Sequence, residues 1–165
     1  MTIRVPGQRD LPTAEDTRAL GAELAGLLRA GDVVILDGPL GAGKTALTTG
    51  IAAGLGVRGR ITSPTFVIAR VHPSLVGGPA LVHVDAYRLG GAAELDDLDL
   101  DTDLTDSVTV VEWGSGLVED LSEDRLEITL AADPDTEART LTLTGRGRWA
   151  GAPADALVRS LTAEV

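Results

Sequence analysis

Lys44 is the sole lysine in a chain of 165 residues; the other thirteen basic side chains are arginine. It stands in Gly38-Pro-Leu-Gly-Ala-Gly-Lys-Thr45, which fits the phosphate-loop pattern G-x-x-x-x-G-K-[ST]. A lysine ammonium is a compact charge on a flexible stem and can reach in beside the β- and γ-phosphates of a nucleotide. The planar guanidinium of arginine is bulkier and prefers two-point partners. The glycines Gly38, Gly41 and Gly43 allow backbone angles at which several N–H groups converge on one anion.

Two further segments end a hydrophobic run on a carboxylate: Leu81-Val-His-Val-Asp85 and Val108-Thr-Val-Val-Glu112. Phosphoryl-transfer sites of this kind need an acidic group near Mg2+, beside the loop hydroxyl, here Thr45. A second polar group commonly orients the attacking water. Asp85 and Glu112 can divide these tasks, or either can simply cap a neighbouring helix. His83 shares a strand face with Asp85 and reads as a packed histidine rather than a base. Ser63-Pro-Thr-Phe66 lies where a γ-phosphate-sensing switch is expected, with the Thr65 hydroxyl open to Mg2+ or phosphate. On its own this tetrapeptide reads as a plain turn. The chain has four aromatic residues, and Phe66, Tyr87 and Trp113 fall in or beside these segments.

The elements that must position these residues follow from periodicity. Val33 to Asp37 reads as a buried parallel strand and Thr45 to Leu55 as the helix that follows the loop. The N-terminal dipole of that helix adds to phosphate attraction. A first helix is expected from Thr13 to Arg29, with Thr13 as N-cap, Asp16 in a capping-box position and Gly31 as terminator. Thr65 to Val71 and Ala80 to Asp85 read as strands. Their turn-rich link is too short for a helical crossover, so they are expected to be antiparallel. Val108 to Glu112 reads as another buried strand. Leu126 to Leu130 and Thr140 to Thr144 read as a late antiparallel pair, and Ala154 to Ala163 as a terminal helix. The expected fold is α/β: a single P-loop NTPase domain, residues 1–165, with a mixed central sheet flanked by helices.

Composition excludes several classes. There is no cysteine, hence no disulfide and no thiolate metal site. The N-terminal segment has no hydrophobic signal core and no run is long enough to span a membrane, so a cytoplasmic protein is expected. A formal net charge of −11 argues against a large nucleic-acid surface of its own, because such surfaces neutralise phosphates with Lys and Arg. Glu94 to Asp106 holds seven acidic residues, but the glycine and glutamate that an EF-hand loop requires are missing. The segment reads as a solvated acidic face.

Taken together, Gly38-Pro-Leu-Gly-Ala-Gly-Lys-Thr45, Ser63-Pro-Thr-Phe66, His83-Val-Asp-Ala-Tyr-Arg-Leu89 and Val111-Glu-Trp-Gly114 resemble the bacterial tRNA threonylcarbamoyladenosine biosynthesis ATPase family, TsaE (also called YjeE). The resemblance spans about residues 10 to 145 and rests most on the H-x-D-x-Y-R-L and E-W segments. It implies an ATP hydrolase, weak alone, that acts with the TsaD and TsaB proteins in N6-threonylcarbamoyl modification of tRNA. The tRNA would then be met only through those partners. The resemblance also implies roles. Gly38, Leu40, Gly41, Ala42, Gly43, Lys44 and Thr45 would hold ATP, with Thr13 and Asp85 contributing. Thr45 and Glu112 would hold Mg2+, and Asp85 and Glu112 would be catalytic. Ser63, Pro64, Thr65, Phe66 and Trp113 would form the switch segments.

Pro39 and Gly114 depart from the family's usual residues, and Arg146, Arg148 and Trp149 match no motif. Three rival readings are a small-molecule kinase, a GTPase and a nucleotide-gated binding module without turnover. The kinase lacks a compact arginine-rich lid. The GTPase lacks N-K-x-D, which a chain with one lysine, already in the phosphate loop, cannot supply.

Overall fold

The run Val33-Val-Ile-Leu-Asp37 becomes the central strand of the sheet, because β-branched residues suit a pleated ribbon buried on both faces. The computed structural model describes residues 2–3, 13–38, 43–57, 69–85, 106–112, 123–132, 135 and 139–150. In chain order these form β1 (Thr2–Ile3), α1 (Ala14–Ala25), β2 (Val33–Asp37), α2 (Lys44–Leu55), β3 (Ala69–His72) and β4 (Ala80–Asp85). Then come β5 (Ser107–Glu112), β6 (Arg125–Ala132), β7 (Arg139–Arg146) and a 3-10 turn at Gly147–Ala150.

The seven strands form one sheet in the order β1-β7-β6-β2-β5-β4-β3. β2 runs parallel to both neighbours, β6 and β5, and β5 runs parallel to β4. The outer pairs β3–β4, β6–β7 and β1–β7 are antiparallel. The sheet is therefore mixed, as expected, and the architecture is the α/β fold of a P-loop NTPase. The short link between β3 and β4 does produce an antiparallel pair, and so does the late pair. The expected residues 65–68 of the first strand, and the expected helix at 154–163, lie outside the described residues.

One sheet face carries Val34, Leu36, Leu81, Val110, Leu126 and Ile128 into a core with Leu20 and Leu24 of α1 and Leu47 and Ile51 of α2. Fully burying one such aliphatic side chain contributes about 1.5–3 kcal/mol. The two helices touch backbone to backbone. A Cβ at Gly50 would overlap the Arg18 main-chain carbonyl, and one at Gly21 would overlap that of Leu47. This close crossing fixes α2, and so the start of α2, against the sheet.

The first helix is shorter than its apolar pattern predicts. It ends at Ala25, with Gly26 as C-cap, rather than running to Arg29 and Gly31. The Asp32 carboxylate accepts the Arg29 amide at 2.8 Å, which turns the chain before β2. Leu28 lies in that turn and is still buried, so the hydrophobic period outlasts the helix. Gly31 serves the turn itself, at φ +94°. Among the described residues no helix is long and apolar enough to cross a membrane.

Candidate nucleotide site

The described residues of the site gather at the C-terminal ends of three neighbouring parallel strands, where open α/β sheets bind ligands. Asp37 ends β2, Glu112 ends β5 and Asp85 ends β4. Register brings them level: Leu36 pairs with Glu112, and Glu112 with Asp85. Glu112 therefore sits on the strand beside the loop strand, and Asp85 one strand further out.

The two helix starts differ in a way that matters for anions. At α1 the chain satisfies its own amides. Thr13 Oγ1 accepts from Asp16 N–H at 3.2 Å, and Thr13 N–H donates to Asp16 Oδ2 at 3.1 Å. The capping box expected at Thr13 is thus complete, and the Thr13 hydroxyl also donates to Asp16 at 2.7 Å. At α2 the N-cap is Gly43 at φ +101°, with no side-chain cap and no acidic residue in the first turn. Only glycine takes this left-handed angle cheaply. The start of α2 thus carries no side-chain cap of the kind α1 possesses, and the helix dipole there favours an anion.

Lys44 opens α2 and is buried, and its Nζ donates to the Gly38 carbonyl at 2.5 Å. The side chain thus links the helix start to the residue that follows β2. Thr45 follows, half-buried. Residues 39–42, including Leu40, Gly41 and Ala42, lie outside the described residues.

Glu112 is only 4 % exposed, and His83 is fully buried. Their side chains meet: His83 Nε2 lies 2.6 Å from Glu112 Oε2. In the tautomer with Nε2 protonated, the ring nitrogen donates to the carboxylate oxygen. His83 pairs with Val110, two residues before Glu112, so strand alternation places both side chains on the α2 face of the sheet. His83 is packed, as its sequence setting suggests, and it is also bonded to a candidate site carboxylate. Nothing in the sequence alone tied the two residues together, because the tie depends on strand order and register.

The donor set suits a nucleotide-bound Mg2+. Hydroxyl and carboxylate oxygens are hard ligands, and one or two carboxylates suffice when phosphates complete the shell. Among the described residues no cluster of three or more His, Cys, Asp or Glu could form an all-protein cage. Of the remaining expected site residues, Asp85 is described by its backbone alone. Ser63, Pro64, Thr65, Phe66 and Trp113 lie outside the described residues.

Comparison with known proteins adds a family signal to this geometry. Residues 11–141 match the family model "Threonylcarbamoyl adenosine biosynthesis protein TsaE". A tRNA threonylcarbamoyladenosine biosynthesis protein TsaE from Streptomyces coelicolor is 63% identical over 85% of this chain and 98% of its own. The protein of that name from Bacillus subtilis is 39% identical over 81% and 82%. The crystal structure of Bacillus subtilis YdiB superposes with a TM-score of 0.73 at 30% identity, covering 97% of each chain.

Proposed function

The chain belongs to the TsaE family of threonylcarbamoyl adenosine biosynthesis proteins, and on that premise we propose that it is an ATP hydrolase serving threonylcarbamoyladenosine formation in tRNA. One observation carries the hydrolase reading. A buried lysine stands at an uncapped helix start, and a buried carboxylate ends the parallel strand beside the loop strand.

In this reading the amides at the start of α2 and the Lys44 ammonium hold the β- and γ-phosphates of ATP. The Thr45 hydroxyl and the Glu112 carboxylate would hold Mg2+, which supplies charge neutralisation at those phosphates when bound. Asp85 orients the attacking water at the γ-phosphate. Ser63 to Phe66 and Trp113 change position with the state of that phosphate. Thr13 serves the nucleotide only as an extension of its capping role. Turnover acts on a complex of the TsaD and TsaB proteins, which hold the tRNA. The net charge of −11 fits a subunit that leaves the nucleic acid to others. All of this takes place in the cytoplasm.

A titration with a fluorescent ATP analogue, beside a phosphate-release assay, tests the assignments. Lys44→Ala is expected to weaken nucleotide binding by roughly 10- to 100-fold. Glu112→Ala is expected to keep nucleotide and lose Mg2+-dependent turnover. Unchanged hydrolysis in either variant overturns the role given to that residue.

A further inference from the structure

We propose that His83 is the positioning residue for Glu112: its Nε2–H holds one carboxylate oxygen and thereby presents the other to the cation that accompanies the nucleotide. The proposal rests on the reading of Glu112 as a cation-holding carboxylate and adds a specific agent for its geometry.

Three observations carry it. The contact is close, 2.6 Å from Nε2 to Oε2, well within hydrogen-bond reach. The imidazole is fully buried, so it cannot swing away into solvent. The histidine engages only one of the two carboxylate oxygens, Oε2. A free glutamate samples many rotamers. One whose Oε2 is pinned from the core side keeps a single orientation and one oxygen to give.

Packing alone does not account for this histidine. Apolar residues neighbour it on the same sheet face: Leu81 lies two residues back in β4, and Val110 stands opposite in β5. A leucine or methionine would fill that place without bringing polar atoms. The second ring nitrogen, Nδ1, is buried with no partner among the described residues, which is a cost to stability. A polar group kept at such a cost is explained by what its other nitrogen does. Carboxylates that hold a metal are commonly oriented by an outer hydrogen bond, and removing that bond typically weakens metal affinity by roughly 10- to 100-fold.

The test compares a donor-keeping and a donor-lacking replacement. Glutamine can place an amide N–H near the position of Nε2, and methionine fills similar space without a donor. Wild type, His83→Gln, His83→Met and Glu112→Gln are each loaded with a non-hydrolysable ATP analogue and titrated with Mn2+. Bound metal is read by electron paramagnetic resonance, and nucleotide binding without metal is read separately. The expected result is a loss of Mn2+ affinity of roughly 10- to 100-fold in His83→Met, with metal-free nucleotide binding unchanged. His83→Gln is expected to recover most of that loss. Wild-type Mn2+ affinity in His83→Met, alongside a clear loss in Glu112→Gln, overturns the proposal and leaves the Glu112 role standing. Wild-type affinity in Glu112→Gln overturns the Glu112 reading and the proposal with it. Equal losses in His83→Gln and His83→Met also overturn the proposal, because a structural role has no use for the donor.

Discussion

The Lys44 ammonium donates to the Gly38 carbonyl, 2.5 Å away, and so links the first residue of α2 to the residue that follows β2. The side chain is therefore already buried and held by the main chain, and a nucleotide's phosphates need not order it from solvent. Lys44→Ala is expected to weaken nucleotide binding by roughly 10- to 100-fold, the worth of about one hydrogen bond to a charged partner. Lys44→Arg is expected to restore little, since a planar fork does not fit a site shaped for a point charge. Isothermal titration with ATP checks both, and full binding by the arginine variant would contradict the account.

Two glycine-to-alanine changes should move stability in opposite directions. At Gly50 the new methyl would overlap the Arg18 carbonyl, where α1 and α2 meet. Overpacking there costs about 1–3 kcal/mol. It exceeds the gain in helix propensity of about 1 kcal/mol, because the obstacle is backbone that cannot rotate aside. At Gly26 the backbone is right-handed helical, at φ −65°, and the nearest atom to a new Cβ is the Glu23 carbonyl oxygen at 3.4 Å. Gly26→Ala should therefore stabilise by about 0.4–1 kcal/mol. Urea unfolding of both variants gives the two signs.

Arg148 ties the 3-10 turn after β7 to the link between α1 and β2. Its Nε donates to Asp32 Oδ1 at 2.8 Å, its Nη2 to Asp32 Oδ2, and Nη2 also to the Leu27 carbonyl at 2.7 Å. The guanidinium lies over the Trp149 ring, 4.7 Å from its centroid, and Trp149 is fully buried. Asp32 is buried too, so deleting Arg148 strands a charge. Arg148→Ala is expected to cost about 3 kcal/mol of stability. Arg148→Lys should recover only part, for want of the two-point geometry. Denaturant midpoints read both.

Thr13 offers a clean separation of a capping role from a nucleotide role. Its hydroxyl is engaged with Asp16 at the start of α1. Thr13→Ala is expected to cost about 1 kcal/mol of stability through the lost cap. ATP affinity, measured well below the unfolding transition, is expected to change less than stability does. A large affinity loss without destabilisation would instead make Thr13 a direct nucleotide contact.

What the sequence could reveal depended on how local the cause was. The strand Val33–Asp37 and the strand Ala80–Asp85 were legible to the residue, because continuous apolar runs end at glycine, proline or a charged residue. The antiparallel pairings of β3 with β4 and of β6 with β7 followed from short links. The end of α1 was not legible, because Leu27 and Leu28 keep the helical apolar period while the Asp32 side chain is already turning the chain. The placement of β6 parallel to β2, and of Thr2–Ile3 against β7, depends on pairings far apart in sequence. The same holds for His83 with Glu112 and for Arg148 with Asp32. Each pair is chemically ordinary, and only the folded register makes it a pair.

The central claim is that this chain hydrolyses ATP as a partner-driven step in tRNA modification. Phosphate release by the purified protein, alone and with the TsaD–TsaB complex and tRNA, tests it most directly. The account predicts slow turnover alone, strong stimulation by the complex, and loss of that stimulation in Lys44→Ala. Normal ATP binding with no turnover beside its partners would contradict it and leave a nucleotide-gated binding module in its place.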